Sequence, residues 1–198
     1  MPRIYLQKMN MATAKLVREW TDFNDPRLIG YNYAKLSDFE IKLWYGSITT
    51  PRRKYFAVKK LDDDRFIGFI GLKQINPITR RAKLGIVFDS AYVSMGYGTE
   101  AIKLLLDKAF SDYKLREVSL EVNLFNERAY RAYRKCGFKQ VDSSTEVFEN
   151  QNIDMDERYF VDKSGLIYSK ILTMMITKDD YYGPVSYTHL TLPTTPYV

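Results

Sequence analysis

Residues 91–101 constrain the fold of this chain more than any other stretch: Ala-Tyr-Val-Ser-Met-Gly-Tyr-Gly-Thr-Glu-Ala, with Gly96 and Gly98 one residue apart. They lie between a run at 81–88, read as a strand, and a segment whose Ala101, Ile102, Leu105, Leu106 and Ala109 share one helical face. Glycines at this spacing let the backbone turn sharply and bring its N–H groups close to a ligand. Those donors, with the start of the following helix, make an anion site suited to a pyrophosphate. A plain glycine turn before a helix explains the segment equally well if it stands alone. Gly96-x-Gly98-x-x-Ala101 also fits the dinucleotide fingerprint, but there the first glycine follows its strand almost directly, and here residues 89–95 intervene. That fingerprint also sits in the first strand–helix unit, whereas hairpins come first here. No Lys-Ser or Lys-Thr pair follows, so a P-loop is excluded.

Around this segment the periodicity predicts a mixed α/β sheet. Strands are expected at 4–8, 54–60, 65–74, 81–88, 117–122, 138–141 and 166–177. Helices are expected at 13–20, at 37–45 with Ser37 and Glu40 at capping-box spacing, at 99–110, and at 126–136 ended by Gly137. Asp62, Asp63 and Asp64 make a turn, and Asn76-Pro77 breaks the chain. Nothing divides residues 1–183, which are expected to form a single domain able to bury a core without disulfides.

Bulk properties exclude several classes. No apolar run approaches the roughly 20 residues that span a bilayer. No secretory leader is legible at the N-terminus. The one cysteine, Cys136, fits a reducing compartment, and a cytoplasmic location is expected. The net charge of +6 is spread in twos and threes, as at Lys59-Lys60 and Arg80-Arg81. That pattern describes a solvated basic surface that also attracts a polyanionic cofactor; a nucleic-acid partner, a membrane partner and a bound metal are not expected. Residues 184–198 carry no charge, and Val185–Thr195 resembles the translation of a transposon-end sequencing adapter. The tail is therefore expected to be an artefact, with a genuine Thr/Pro-rich tail as the other reading. His189, the one histidine, lies there and is set aside from catalysis.

A second block decides between these possibilities. Asn126, Ala129, Tyr133, Gly137 and Phe138 fit Asn-x-x-Ala-x-x-x-Tyr-x-x-x-Gly-Phe, and Val93-x-x-Gly96-x-Gly98 falls on a Gln/Arg-x-x-Gly-x-Gly/Ala loop. With both blocks in this order, the chain resembles the GCN5-related N-acetyltransferase (GNAT) superfamily over roughly residues 3–182, in particular its ribosomal-protein N-terminal and spermidine acetyltransferase branch. The resemblance implies an acyl-CoA acyltransferase fold, with about seven strands and helices on both faces. It implies acetyl-CoA as co-substrate and direct attack by a primary amine in a ternary complex. Val93 departs from the family's Gln or Arg, but the loop's main-chain amides carry most of the pyrophosphate contacts there, so residues 93–99 (Val93, Ser94, Met95, Gly96, Tyr97, Gly98, Thr99) are expected to cradle it.

The resemblance also assigns roles. Val87 and Phe88 end the strand whose main chain binds the pantetheine arm, and Asn126 bonds that arm, although it is also a respectable N-cap. Tyr133 is the expected acid that protonates the departing thiolate; its other reading is a core residue beside Tyr130 and Phe138. An alkylamine is almost wholly protonated at neutral pH, so a proton must also be taken from it. Where many relatives carry a strand glutamate this chain has Lys83, so Glu121 on the next strand is the candidate base, through water, against the plainer reading of a carboxylate paired with a nearby cation. Cys136 reads as packing, since no histidine stands ready to activate it.

On the acceptor side, residues 142–157 hold Asp142, Glu146, Glu149, Asp154, Asp156 and Glu157 with no Lys or Arg. Set over the cleft, they favour a cationic acceptor: a polyamine, an aminoglycoside-like amine or a peptide N-terminus. A solvated loop explains them as well. Tyr31, Tyr33, Trp44 and Tyr45 either stack on that acceptor or fill the core. A homo-oligomer is left open, and a non-catalytic acyl-CoA-binding module of the same fold is the alternative function.

Overall fold

The computed structural model describes residues 2–183; the uncharged tail and His189 lie outside the described residues. Eight strands form one sheet in the order β1-β2-β3-β4-β5-β8-β6, with β7 pairing β8. The strands are β1 Ile4–Lys8, β2 Lys54–Lys60, β3 Phe66–Asn76, β4 Arg81–Phe88, β5 Glu117–Asn123, β6 Lys139–Val147, β7 Phe160–Lys163 and β8 Leu166–Thr177. Every described pairing is antiparallel except β4–β5, which is parallel. The mixed α/β sheet expected from periodicity is therefore present, with one strand more than was read.

Helices cover both faces and divide the interior. On one side α3 (Tyr97–Asp107) and α4 (Glu127–Lys135) bury Leu105, Leu106 and Tyr133 against Val118, Leu120 and Phe138. On the other, α1 (Met11–Lys15) and α2 (Asp38–Ile48) close over Val17, Trp20, Ile41, Phe66 and Phe69. The Trp20 indole donates to the Phe66 carbonyl at 3.1 Å, so its polar edge is paired inside this apolar cluster. Ser37 and Glu40 form the expected capping box: Ser37 Oγ accepts from the Glu40 N–H at 3.2 Å and Glu40 Oε2 from the Ser37 N–H at 2.7 Å. A short helix α5, Lys178–Tyr182, follows β8.

Several boundaries differ from the sequence reading, three of them by enough to matter here. The helix expected at 13–20 is α1 plus a 3₁₀ turn at Leu16–Glu19, because Asn10 caps one turn earlier, accepting from the Thr13 N–H at 2.8 Å. The helix expected from Thr99 starts at Tyr97, so Gly98 is helical; of the two glycines only Gly96, at φ 88°, lies in the turn, as the helix N-cap. It ends in a π turn at Lys108–Asp112. Strand β6 runs on to Val147 with almost every residue exposed, and β7 had no expected counterpart. Both are held by main-chain ladders to β8, which leave no apolar period to read.

Candidate active site

The cleft begins where two strands part. Parallel pairing of β4 with β5 covers Arg81↔Glu117, Ala82↔Val118 and Lys83↔Ser119 and then stops, although β4 continues to Phe88 and β5 to Asn123. Residues 84–88 stay paired to β3 on their other side, so half their main-chain groups face a gap rather than a strand. At the fork, Lys83 Nζ meets Glu121 Oε1 at 2.6 Å. The acidic position read as a candidate base thus carries the pairing that its alternative reading foresaw.

Next to the gap, residues 93–99 wrap around the start of α3. Ser94 at φ 63° and Gly96 at φ 88° both adopt left-handed backbone, which turns the loop onto the helix N-terminus. A Cβ at Gly98 would meet only the Phe88 ring, at 3.9 Å, so the protein leaves that side open toward the cleft. The loop is braced from outside. Arg3 Nη1 donates to the Met95 carbonyl at 3.0 Å, its guanidinium lies 4.5 Å from the centre of the Tyr97 ring, and its Nε pairs with Glu100 at 3.1 Å. Arg3 thus holds the Met95 carbonyl and the Tyr97 ring, and neither residue is among those that line the cleft.

The cleft has a volume of about 330 Å³. Of the expected site residues, Val87, Phe88, Val93, Ser94, Gly96, Gly98, Thr99, Glu121, Asn126 and Tyr133 all line it. Asn126 also caps α4, its Oδ1 accepting from the Ala129 N–H at 3.2 Å, so the capping reading holds. Gly137, at φ 93°, ends α4, and Phe138 N–H donates back to the Tyr133 carbonyl at 3.1 Å. That turn fixes Tyr133 in the wall, 7% exposed, with its ring edge-on to Phe138 at 6.0 Å. Burial pushes its phenol well above the ordinary range, with Tyr31 adding to the effect, so the group keeps its proton throughout neutral pH. Burial likewise pushes the Cys136 thiol up to about 11, consistent with packing rather than nucleophilic use.

The aromatic residues expected on the acceptor side separate. Tyr31 lines the cleft, while Tyr33 and Trp44 pack on Phe69 at 5.5 and 5.0 Å, and Tyr45 packs on the same cluster. Sequence reasoning missed the cations of α4. Arg128, Arg131 and Lys135 line the cleft, and their spacing of three and four residues places them on one helical stripe. Arg128 is half-buried, with no ion pair among the described residues, and burial lowers its pKa from the ordinary value. Arg131 pairs with Glu127 at 3.2 Å. Main-chain donors and cations around an open strand edge make a receptor for a long, anionic, amide-bearing ligand.

Residues 3–139 match the model of the acetyltransferase (GNAT) domain family. The chain belongs to that family. Within it, the spermidine N(1)-acetyltransferase of Escherichia coli K12 is 37% identical over 125 residues, 63% of this chain and 61% of that protein. The Vibrio cholerae spermidine N(1)-acetyltransferase is 30% identical over 82 residues, 41% of this chain and 47% of that protein. The matches thus span less than two thirds of these curated relatives. The solved structure of Vibrio cholerae spermidine N-acetyltransferase in complex with CoA and spermine superimposes with a TM-score of 0.71 at 20% identity, covering 91% of this chain and 99% of that one. That likeness establishes the GNAT fold.

Proposed function

We propose that residues 1–183 form one acetyltransferase domain that uses acetyl-CoA to acetylate a primary amine, with polyamines as the acceptor class. The observation that carries this reading is the parting of β4 from β5 beyond Lys83 and Ser119, directly beside the amide-lined start of α3. Acetyl-CoA supplies an acetyl group held as a thioester. The free main-chain groups of residues 84–88, among them Val87 and Phe88, bind the pantetheine amides as a strand would. The N–H groups of residues 94–99 hold the pyrophosphate, and Arg128, Arg131 and Lys135 add positive charge along the cleft. Open space over Gly98 fits a ligand lying against the main chain there.

Tyr133, kept protonated by its burial, gives a proton to the departing thiolate. Glu121, held at the fork by Lys83, accepts the amine proton through water. Polyamines as acceptors are supported by the names of the relatives and by the acidic segment 142–157 beside the cleft. A cytoplasmic site of action follows from the proposed use of acetyl-CoA.

An amine panel tests this reading. Thiol release from acetyl-CoA should depend on added amine and be fastest with polyamines. Coenzyme A binding without turnover on any amine would instead favour a binding module.

A further inference from the structure

A second hollow of about 230 Å³ adjoins the cleft, and Tyr31 lines both. Its floor is one face of the sheet. Register pairs Asn123 with Ile171 and Glu146 with Ser169, so Asn123, Ile171, Ser169 and Glu146 project to the same side as Glu121, which pairs with Thr173. Gly30 and Glu149 close the hollow from above.

Several polar groups here lack partners. Asn123 Oδ1 is fully buried and unpaired. Ser169 is only 3% exposed and lines the hollow, and its hydroxyl has no hydrogen-bond partner among the described residues. Glu146 and Glu149 have no ion pair among the described residues, in a chain with 30 Lys and Arg, and no Lys or Arg lines this hollow. The flanking cations are engaged elsewhere: Lys163 Nζ donates to Thr145 Oγ1 at 2.8 Å and Lys170 Nζ to the Glu157 carbonyl at 2.7 Å. Buried acceptors left unpaired call for a donor from outside the chain, and two free carboxylates call for a cationic one.

From the acetyl-transfer reading, on which this rests, we propose that the hollow is the subsite for the distal ammonium group of the acceptor, with Glu146 as its specificity-determining residue. The spacing suits such a ligand. From Glu121 to Glu146 is four residues along β8 and two strand spacings across, a separation of ~16 Å from standard sheet dimensions. An extended chain with ammonium groups at both ends spans this distance together with the reach of the two glutamate side chains; a compact monoamine does not.

The test compares spermidine with n-butylamine as acceptors for the full chain and for Glu146→Gln. Glu146→Gln should lower kcat/KM for spermidine about fivefold through KM, near the upper limit for an exposed ion pair, and leave n-butylamine unchanged. Added salt should erode the spermidine advantage of the unaltered protein in the same way. Asp154→Asn, in the same acidic segment but outside the hollow, should change neither. Equal loss with both amines, or equal loss in the Asp154 variant, overturns the subsite. Calorimetric spermidine binding that depends on Glu146 without acetylation of any amine would remove the transfer reading and leave the subsite standing. Absence of both turnover and binding would end both.

Discussion

The two sides of the cleft are built in different ways. On the proposed cofactor side the chemistry resides in main-chain groups: a strand edge left open along 84–88 and the N–H groups around the start of α3. On the proposed acceptor side it resides in side chains, Tyr31, Glu146, Glu149 and Ser169, carried by a short 3₁₀ turn at Ile29–Tyr31, by β6 and the residues just after it, and by β8. A backbone site demands glycines and fixed spacings, whereas a side-chain site tolerates many arrangements that present the same charges. The first can hold one cofactor unchanged while the second is altered to suit different amines.

Variants should keep these two sides apart. The largest effect belongs at their junction. Tyr133→Phe should lower kcat by about a hundredfold or more, as expected when a positioned proton donor is lost, while coenzyme A affinity measured by calorimetry stays close to that of the unaltered protein. Comparable losses in affinity would make Tyr133 a wall residue only. On the cofactor side, Gly98→Val meets no backbone obstacle, since a Cβ there touches only the Phe88 ring at 3.9 Å. Thermal stability should hold, but coenzyme A should bind about thirtyfold more weakly, as for overpacking worth ~2 kcal/mol. Unchanged affinity would mean the ligand does not pass over this glycine.

The smallest effect belongs to the acceptor side. At Gly30 an added Cβ would meet the Glu149 carboxylate, the far end of a flexible side chain, which can swing away. Gly30→Ala should therefore alter KM for spermidine by about twofold, within the range of an exposed charge, and leave coenzyme A affinity alone. A change in coenzyme A affinity would blur the division between the two sides.

The same division governs what the sequence revealed. The cofactor side was legible because turns and helix ends have stereochemical signatures: Gly96 must adopt φ 88°, and Gly137 must end α4 at φ 93°. Strands β2, β4 and β8 were read to the residue for a related reason, their clear limits of burial and turn chemistry. Between Val141 and β8, legibility fell. Strand β6 is exposed along nearly its whole length, so no alternation marked it past Val141, and β7 is four residues long. The partition of the four aromatic residues depends on which face α2 buries, and Tyr31 is separated from Tyr33 by a change of direction after the 3₁₀ turn. The Arg3 brace joins residues 92 positions apart, a pairing that local pattern does not register. Arg128, Arg131 and Lys135 were readable as a helical stripe, but only once their helix was known to face the gap.

The fork at Lys83 and Glu121 has one more consequence. A seam of unspent amides within a sheet is an adhesive surface, usually kept harmless at an outer edge by charge or brevity. Here it lies inside the molecule, so a filled seam is as much a matter of conformational hygiene as of catalysis. On the proposed use of acetyl-CoA, a shortage of coenzyme A would cost this protein a lining strand as well as a reactant.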